Sequence, residues 1–334
     1  MSGPLFSLHK LTLAGSNVPR LNSVTLQIPC GATAIVGLSG AGKTSLLNVL
    51  SGFETGFSGE LTSNVSLDSA DRLPLFWVPQ NGGLWPHLSA EQHLEVVSVD
   101  AVRNQKSGNT TDRFLKRTDE ILSLFDLTHR RQALPAELSQ GERSRLGMAR
   151  ALATQPTVLL LDEPLSHVDP VRKPAYWKII RRIVAEKNIS MVFTSHEPET
   201  VLRQAGHVIC LHEGAVVFEG PVRTLYDNPP DARVGTFLGP LNWFRAEEAA
   251  LFLADQTPGT ADVAIRPERV QIHIAVDSAF ELVSTPFVGT YQESTVRHVA
   301  SGMTKSVLHQ VPDVAIPIGQ LVAFCVLAPS EGIP

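Results

Sequence analysis

The chain has almost no cysteine. Three of its 334 residues are Cys30, Cys210 and Cys325, far apart and with no C-x-x-C spacing. That excludes a disulfide framework and a thiolate metal knuckle, and it suits buried thiols in a reducing compartment. No apolar run is long enough to cross a bilayer, and Met1-Ser-Gly-Pro4 does not begin a signal peptide. Any membrane role is therefore expected to come through a partner. Positive charge is not in excess either. The formal net charge is −5 with both signs dispersed, which argues against nucleic acid as a partner. Internal repeats and low-complexity tracts are absent. The 43% of hydrophobic residues suffices for a sizeable globular core, and the length sets a prior of about two domains.

Against that background one stretch stands out. Gly37-Leu-Ser-Gly-Ala-Gly-Lys-Thr44 fits G-x-x-x-x-G-K-[ST], the phosphate-binding P-loop. Ala32 to Val36 before it reads as a short buried strand, and Ser45 to Leu50 after it as the start of a helix. Gly37, Gly40 and Gly42 let the backbone curl so that N–H groups, including those of Ser39, Ala41 and Ser45, face phosphate oxygens. The helix N-terminus adds partial positive charge. Lys43 is placed for the β- and γ-phosphates, and Thr44 for Mg²⁺. The bland alternative is a glycine-rich turn, which the flanking strand and helix disfavour.

The rest of the chain reads as an α/β core followed by an all-β region. Leu21 to Ile28 alternates apolar and polar, as a half-buried strand does. Leu88 to Thr154 is mostly helical in pattern, with a polar loop over 104–111. Val158 to Leu161 and Ser190 to Phe193 are short apolar runs, as buried parallel strands tend to be, with a helical pattern between them over 171–187. His207 to Phe218 reads as a hairpin turning at Glu213-Gly214. Asp227-Asn-Pro-Pro230 is a break, and from Asp262 onward short strands suggest a small β-domain.

Val158-Leu-Leu-Leu-Asp-Glu-Pro164 is an apolar strand ending in two carboxylates. Acids at strand ends are where a nucleotide site in an α/β protein places metal-binding and catalytic groups. Asp162 suits the metal side, and Glu163 the orientation of an attacking water. A solvated strand-end turn is the alternative.

Leu138-Ser-Gln-Gly-Glu142, ahead of a helix, resembles the signature motif of the ATP-binding cassette family, which normally reads Leu-Ser-Gly-Gly-Gln. The order and spacing of P-loop, Gln80, signature, acidic strand, Asp169 and His196 are similar to that family over residues 5 to 225. Gln80 resembles its Q-loop glutamine, Leu165-Ser-His-Val-Asp169 its D-loop, and Phe193-Thr-Ser-His196 its switch histidine. The resemblance implies a P-loop ATPase core with a helical subdomain, ATP and Mg²⁺ as ligands, and catalytic roles for Glu163, His196 and Gln80. It implies Thr44, Gln80 and Asp162 on the metal side. It also implies a head-to-tail pair of copies in which the signature of one, with Ser139 and Gly141, completes the ATP site of the other, and it counts Asp169 among the nucleotide-binding residues. Physically, Ser139 and Glu142 also fit S-x-x-E, an ordinary capping box, and both readings can hold together.

Gln80-Asn-Gly-Gly-Leu-Trp-Pro-His-Leu-Ser89 resembles the same segment of bacterial importer ATPases, where it meets a membrane subunit. Trp85 and Leu88 are candidates for that contact, or for packing within the helical subdomain. Ile265-Arg-Pro-Glu268 and Phe287-Val-Gly-Thr-Tyr291 resemble the oligonucleotide-fold-like (TOBE) accessory domain of molybdate, sulfate, iron, polyamine and sugar importer ATPases. The expected layout is an ATPase domain over 1–228 (helical subdomain 81–154), a linker over 229–261 and the β-domain over 262–334. The implied protein is the ATP-hydrolysing subunit of an importer, peripheral on the cytoplasmic face of the cell membrane. Its implied partners are permease subunits, a periplasmic or extracellular solute-binding protein and a second copy. The alternatives are a module that senses an oxyanion through the β-domain, and a soluble ATPase outside transport. There are departures from the pattern: no aromatic lies between Leu11 and Ile28 for adenine to stack on, leaving Val18 or another apolar side chain, and Gln140 and Glu142 replace Gly and Gln.

Overall fold

The computed structural model describes residues 3–65, 73–97, 110–253 and 261–327. It divides into two compact units, Met1–Val222 and Arg223–Pro334.

The first unit is built on a six-stranded sheet. Its strands are β3 (Ala32–Val36), β5 (Leu75–Val78), β6 (Val158–Leu161), β7 (Ser190–Thr194), β8 (His207–His212) and β9 (Ala215–Pro221), in the order β5-β6-β7-β3-β8-β9. All neighbours are parallel except the β8–β9 hairpin. Every residue of β6 is buried, as a parallel strand covered on both faces requires. A second, antiparallel sheet pairs β1 (Phe6–Leu13) with β2 (Leu21–Ile28) and β4 (Phe57–Ser63). β2 buries Leu21, Val24, Leu26 and Ile28, the apolar set its alternation predicts. Those side chains share one core with Leu46, Leu47, Val49 and Leu50 of the helix α1 (Lys43–Leu50), and with Leu160, Val192 and Ile209 of the central sheet. α1 is thereby fixed at the C-terminal end of β3, the usual place for ligands in an open α/β sheet.

The helices α2 (Ala90–Val97), α3 (Thr110–Leu124) and α4 (Gln140–Ala153) fill the region expected to be helical. Of the expected loop over 104–111, residues 104–109 lie outside the described residues, and Thr110 and Thr111 already belong to α3. Helix α5 (Lys173–Glu186) buries Tyr176, Trp177 and Ile180, with the Trp177 and Phe193 rings 5.6 Å apart. α6 (Pro198–Gln204) follows β7. Among the cysteines only Cys210 is fully buried. Cys30 is exposed, contrary to expectation, because it sits in the turn between β2 and β3.

In the second unit, the described residues of the expected linker over 229–261 carry regular elements. After α7 (Val222–Asp227), Asp231 caps α8 (Ala232–Thr236) through the Val234 N–H. β10 (Asn242–Phe244) then pairs with β11 (Val263–Ile265), and α9 (Ala246–Phe252) places Ala249 and Phe252 in the unit's core. The sequence break at 227–230 marks a turn, whereas the division falls at 222. Tyr226 is bound into the second unit by its hydroxyl, 2.5 Å from Glu268. Arg266, 3% exposed, explains why an arginine stands beside Pro267. Its guanidinium donates to the carbonyls of Tyr226, Gly235, Gly239 and Pro240 and lies 4.2 Å from the Tyr226 ring. The remaining strands are β12 (Val270–Ile274) paired with β16 (Val322–Val326), and the meander β13 (Phe280–Ser284), β14 (Tyr291–His298) and β15 (Thr304–Gln310). Phe252 stacks on Phe280 among them, and Phe324 meets both rings edge-on.

Candidate functional site

The loop between β3 and α1 is shaped by its neighbours. Gly42, the N-cap of α1, has φ +102°, and a Cβ there would come within 2.6 Å of the Arg20 carbonyl. A Cβ at Gly37 would stand 2.3 Å from the Leu211 carbonyl. Both positions exclude a side chain, by conformation or by space. Leu38, Ser39 and Gly40 are exposed at the loop's crest. The first amides of α1, including those of Lys43, Thr44 and Ser45, have no partner within the helix and point to its open end. The Ala41 amide is different: it donates to the Leu38 carbonyl at 3.1 Å, and its side chain is buried. Lys43 folds back on the loop, its Nζ 2.8 Å from the Gly37 carbonyl and 3.1 Å from that of Leu38. Val18, 73% exposed, sits in the turn that leads to Arg20, whose carbonyl closes on Gly42.

The carboxylates lie beside this loop. Asp162, at the end of β6 and 4% exposed, accepts from the Thr44 hydroxyl at 2.8 Å and the Thr194 hydroxyl at 2.7 Å. Thr194 in turn accepts from the Glu163 N–H at 2.8 Å. Glu163 has φ +47°, a left-handed conformation that a non-glycine residue holds only where its surroundings fix it. Its carboxylate takes the Gln80 amide nitrogen at 3.1 Å and lies 3.3 Å from His196 Nδ1. Through Thr194, the residues Thr44, Asp162, Gln80, Glu163 and His196 form one connected group.

A cavity of about 380 Å³ opens beside it, lined by Thr44, Asn48, Gln80, Asp162 and His167 among others. The Asn48 Oδ1 is buried there without a hydrogen-bond partner. With its amide nitrogen on Glu163, Gln80 leaves its carbonyl oxygen free of that bond. Hydroxyl, carboxylate and amide oxygens are the donors that Mg²⁺ prefers, so the residues present fit that ion.

The signature segment forms a separate group. Ser139 caps α4, accepting from the Glu142 N–H at 3.2 Å, while Glu142 Oε2 accepts from the Ser139 N–H and hydroxyl, each at 2.8 Å. The capping box is therefore real. Glu142 Oε1 also takes Arg130 Nε at 3.0 Å and lies 3.6 Å from His129 Nε2. Burial pushes this carboxyl upward, but the Ser139 donors and Arg130 outweigh it and hold its pKa at about 2. A Cβ on Gly141 would come within 3.0 Å of the His167 carbonyl, so its small size serves close packing on the 165–169 segment. The Asp169 carboxylate accepts from the Val171 N–H at 2.8 Å. Among the described residues, no hydrogen bond or ion pair joins Ser139, Gly141 or Asp169 to the P-loop.

Two residues that sequence reasoning passed over prove central. Thr194, at the end of β7, joins the Asp162 carboxylate to the Glu163 backbone N–H. Arg150, on α4, donates to the Gly83 carbonyl at 2.7 Å and that of Gly82 at 2.9 Å, with its guanidinium 4.7 Å from the Trp85 ring. Burial lowers its pKa to about 10. Trp85 also stacks on His93 and keeps 38% of its surface exposed, so it packs and stays available at once. An arginine amid the apolar residues of α4 was the one available signal for Arg150.

Comparison with known proteins agrees with this geometry. Residues 21–166 match the family model described as ABC transporter. The chain is 31% identical to the Fe(3+) ions import ATP-binding protein FbpC of Pseudomonas fluorescens, over 79% of this chain and 78% of that one. It is 30% identical to FbpC 1 of Rhizobium meliloti over 83% of each, and 29% identical to FbpC of Yersinia pseudotuberculosis over 89% and 90%. Among solved structures it resembles the dimeric post-hydrolysis state of an ATP-binding cassette bound to ADP and Pi. That likeness has TM-score 0.56 and 25% identity, covering 65% of this chain and 99% of that one.

Proposed function

The chain belongs to the ABC transporter family of ATPases, and from that premise we propose that it is the ATP-hydrolysing subunit of a bacterial importer. The observation that carries this reading is the connected group Thr44–Asp162–Thr194–Glu163, with Gln80 and His196 on the Glu163 carboxylate. ATP phosphates enter the curl of 37–45, and Lys43 leaves its two loop carbonyls to meet them. A charge-assisted contact to phosphate is stronger than either neutral bond it replaces. Thr44, Asp162 and Gln80 would hold Mg²⁺, which supplies neutralising charge at the phosphates. Glu163 accepts a hydrogen bond from the attacking water and orients it, with Gln80 and His196 fixing the carboxylate.

Ser139, Gly141 and Asp169 have no partner on their own P-loop, which supports their serving a second copy. The dimeric cassettes among the structural relatives support the same arrangement. No described helix is long and apolar enough to cross a membrane, so a permease and a solute-binding protein would supply the pore and the capture step. Trp85 and Leu88 are the proposed permease contact, which puts the protein at the membrane's cytoplasmic face. The relatives' names carry ferric iron, and that is the first cargo to test.

The test is Glu163→Gln. Loss of the base should reduce ATP turnover by a factor of roughly 10² or more and leave ATP binding intact. With ATP the variant should elute as a dimer on size-exclusion chromatography with light scattering. Undiminished turnover, or a monomer at saturating ATP, would count against the assignment.

A further inference from the structure

The signature segment carries a charge in an awkward place. Glu142 sits in the first turn of α4, 8% exposed and ionised, with Oε2 holding both the N–H and the hydroxyl of Ser139. On the reading above, this helix end receives an anionic phosphate from the nucleotide of a second copy. A bare carboxylate there would repel that phosphate.

The structure supplies the counter-charge. Arg130, at the end of the 3₁₀ turn Thr128–Arg130, reaches across to Glu142 Oε1 through Nε at 3.0 Å, and His129 stands 3.6 Å from the same oxygen. Arg130 makes no other side-chain hydrogen bond among the described residues, and its side chain is 44% exposed. Its two terminal nitrogens carry no hydrogen bond among the described residues. A planar guanidinium can satisfy a carboxylate by one edge and still present positive charge outward.

We propose that Arg130, backed by His129, is a positioning residue of the signature: it neutralises Glu142 so that the α4 N-terminus can receive the phosphate of a nucleotide held by a second copy of the chain. The inference rests on the dimer reading, and its test separates the two. The alternative role for Arg130 is to pin the 128–130 turn to α4. The two roles differ in what happens when residue 142 loses its charge. If Arg130 is a counter-charge, removing Glu142's charge makes it dispensable. If it is a pin, removing Glu142 breaks the same bond and restores nothing.

The experiment uses the full chain in the Glu163→Gln background and measures the ATP concentration at half-dimerisation by light scattering. Arg130→Met should raise that concentration about tenfold or more, which is about 1.4 kcal/mol of coupling. Arg130→Lys should recover part of it, since the charge returns without the planar fork. Adding Glu142→Gln to Arg130→Met should bring the midpoint back to within about threefold of the parent, because glutamine retains the capping-box acceptor without the charge. Circular dichroism of each variant reports whether α4 has folded, and the Arg130→Lys series carries the test if the methionine variant does not fold. An unchanged midpoint for Arg130→Met, or a loss that Glu142→Gln does not repair, overturns the proposal. A parent that stays monomeric with ATP overturns the dimer reading and this inference with it.

Discussion

Replacing Thr194 with valine isolates what holds the two carboxylates in place. Valine keeps the branched shape of threonine and puts a methyl in place of the hydroxyl, so what is lost in this fully buried position is the hydrogen bonding. The hydroxyl makes two bonds: it donates to Asp162 Oδ1 at 2.7 Å and accepts the Glu163 N–H at 2.8 Å. Without it, an ionised oxygen and a backbone N–H each lose a partner in a buried setting. Each such loss costs about 1–3 kcal/mol, and Asp162 keeps its Thr44 bond, so a total of about 2–4 kcal/mol is expected. The catalytic effect is separate. Glu163 holds φ +47° with this N–H bond as one of its restraints, so its carboxylate should wander from Gln80 and His196. A fall in kcat of about tenfold or more follows from such misplacement. Urea unfolding followed by tryptophan fluorescence is the assay, since Trp77, Trp85 and Trp177 all lie in the first unit. Thr194→Ser, which keeps the hydroxyl, should retain most stability and turnover. A valine variant within about 0.5 kcal/mol of the parent and with full kcat would refute the argument.

The other predictions address different parts of the chain. Lys43→Ala should weaken ATP binding at least about tenfold by calorimetry while hardly changing unfolding, since the lysine bonds only to its own exposed loop. Arg266→Met should destabilise the second unit by about 3 kcal/mol or more, because four carbonyls lose their donor; proteolysis of the 223–240 segment should accelerate, and an unchanged digestion pattern would contradict this. His309 is buried between Ser294 Oγ at Nε2 and the Gln310 carbonyl at Nδ1, and burial pushes its pKa below the usual 6.5. The unfolded chain therefore takes up a proton first as pH falls below 6.5, so the second unit should lose stability from there down to the folded pKa. His309→Gln should flatten that pH dependence in urea titrations between neutral and mildly acidic buffer.

What the sequence made legible followed from local regularity. β2 and β6 are read at their observed bounds because one alternates from Val24 to Ile28 and the other is uniformly apolar. The P-loop is read because its glycines answer to local backbone demands, and the capping box because its two partners lie three residues apart. The failures share a different origin. β13 and β15 bury few residues, Leu282 in the first and Val307 and His309 in the second, so neither alternates convincingly. β10 is three residues long and is a strand only because β11 pairs with it. Its approach through Pro229, Pro230 and Pro240 looks like linker, although Gly235 packs against Pro229 and Leu241. The roles of Thr194 and Arg150 depend on contacts between elements remote in the chain, for which local patterning holds no record.

Arg150 sits in the last turn of α4, the helix that Ser139 begins, and grips the turn that follows Gln80 through two carbonyls. Gly147 tightens the same junction, since a Cβ there would lie 3.2 Å from Gly82 Cα. The turn after Gln80 and the start of α4 are therefore joined by a stiff strut. On the proposed function, the side chain at 150 ties the permease-facing indole to the helix whose first turn would meet a second copy's nucleotide, and a shorter side chain there would leave the two without that tie.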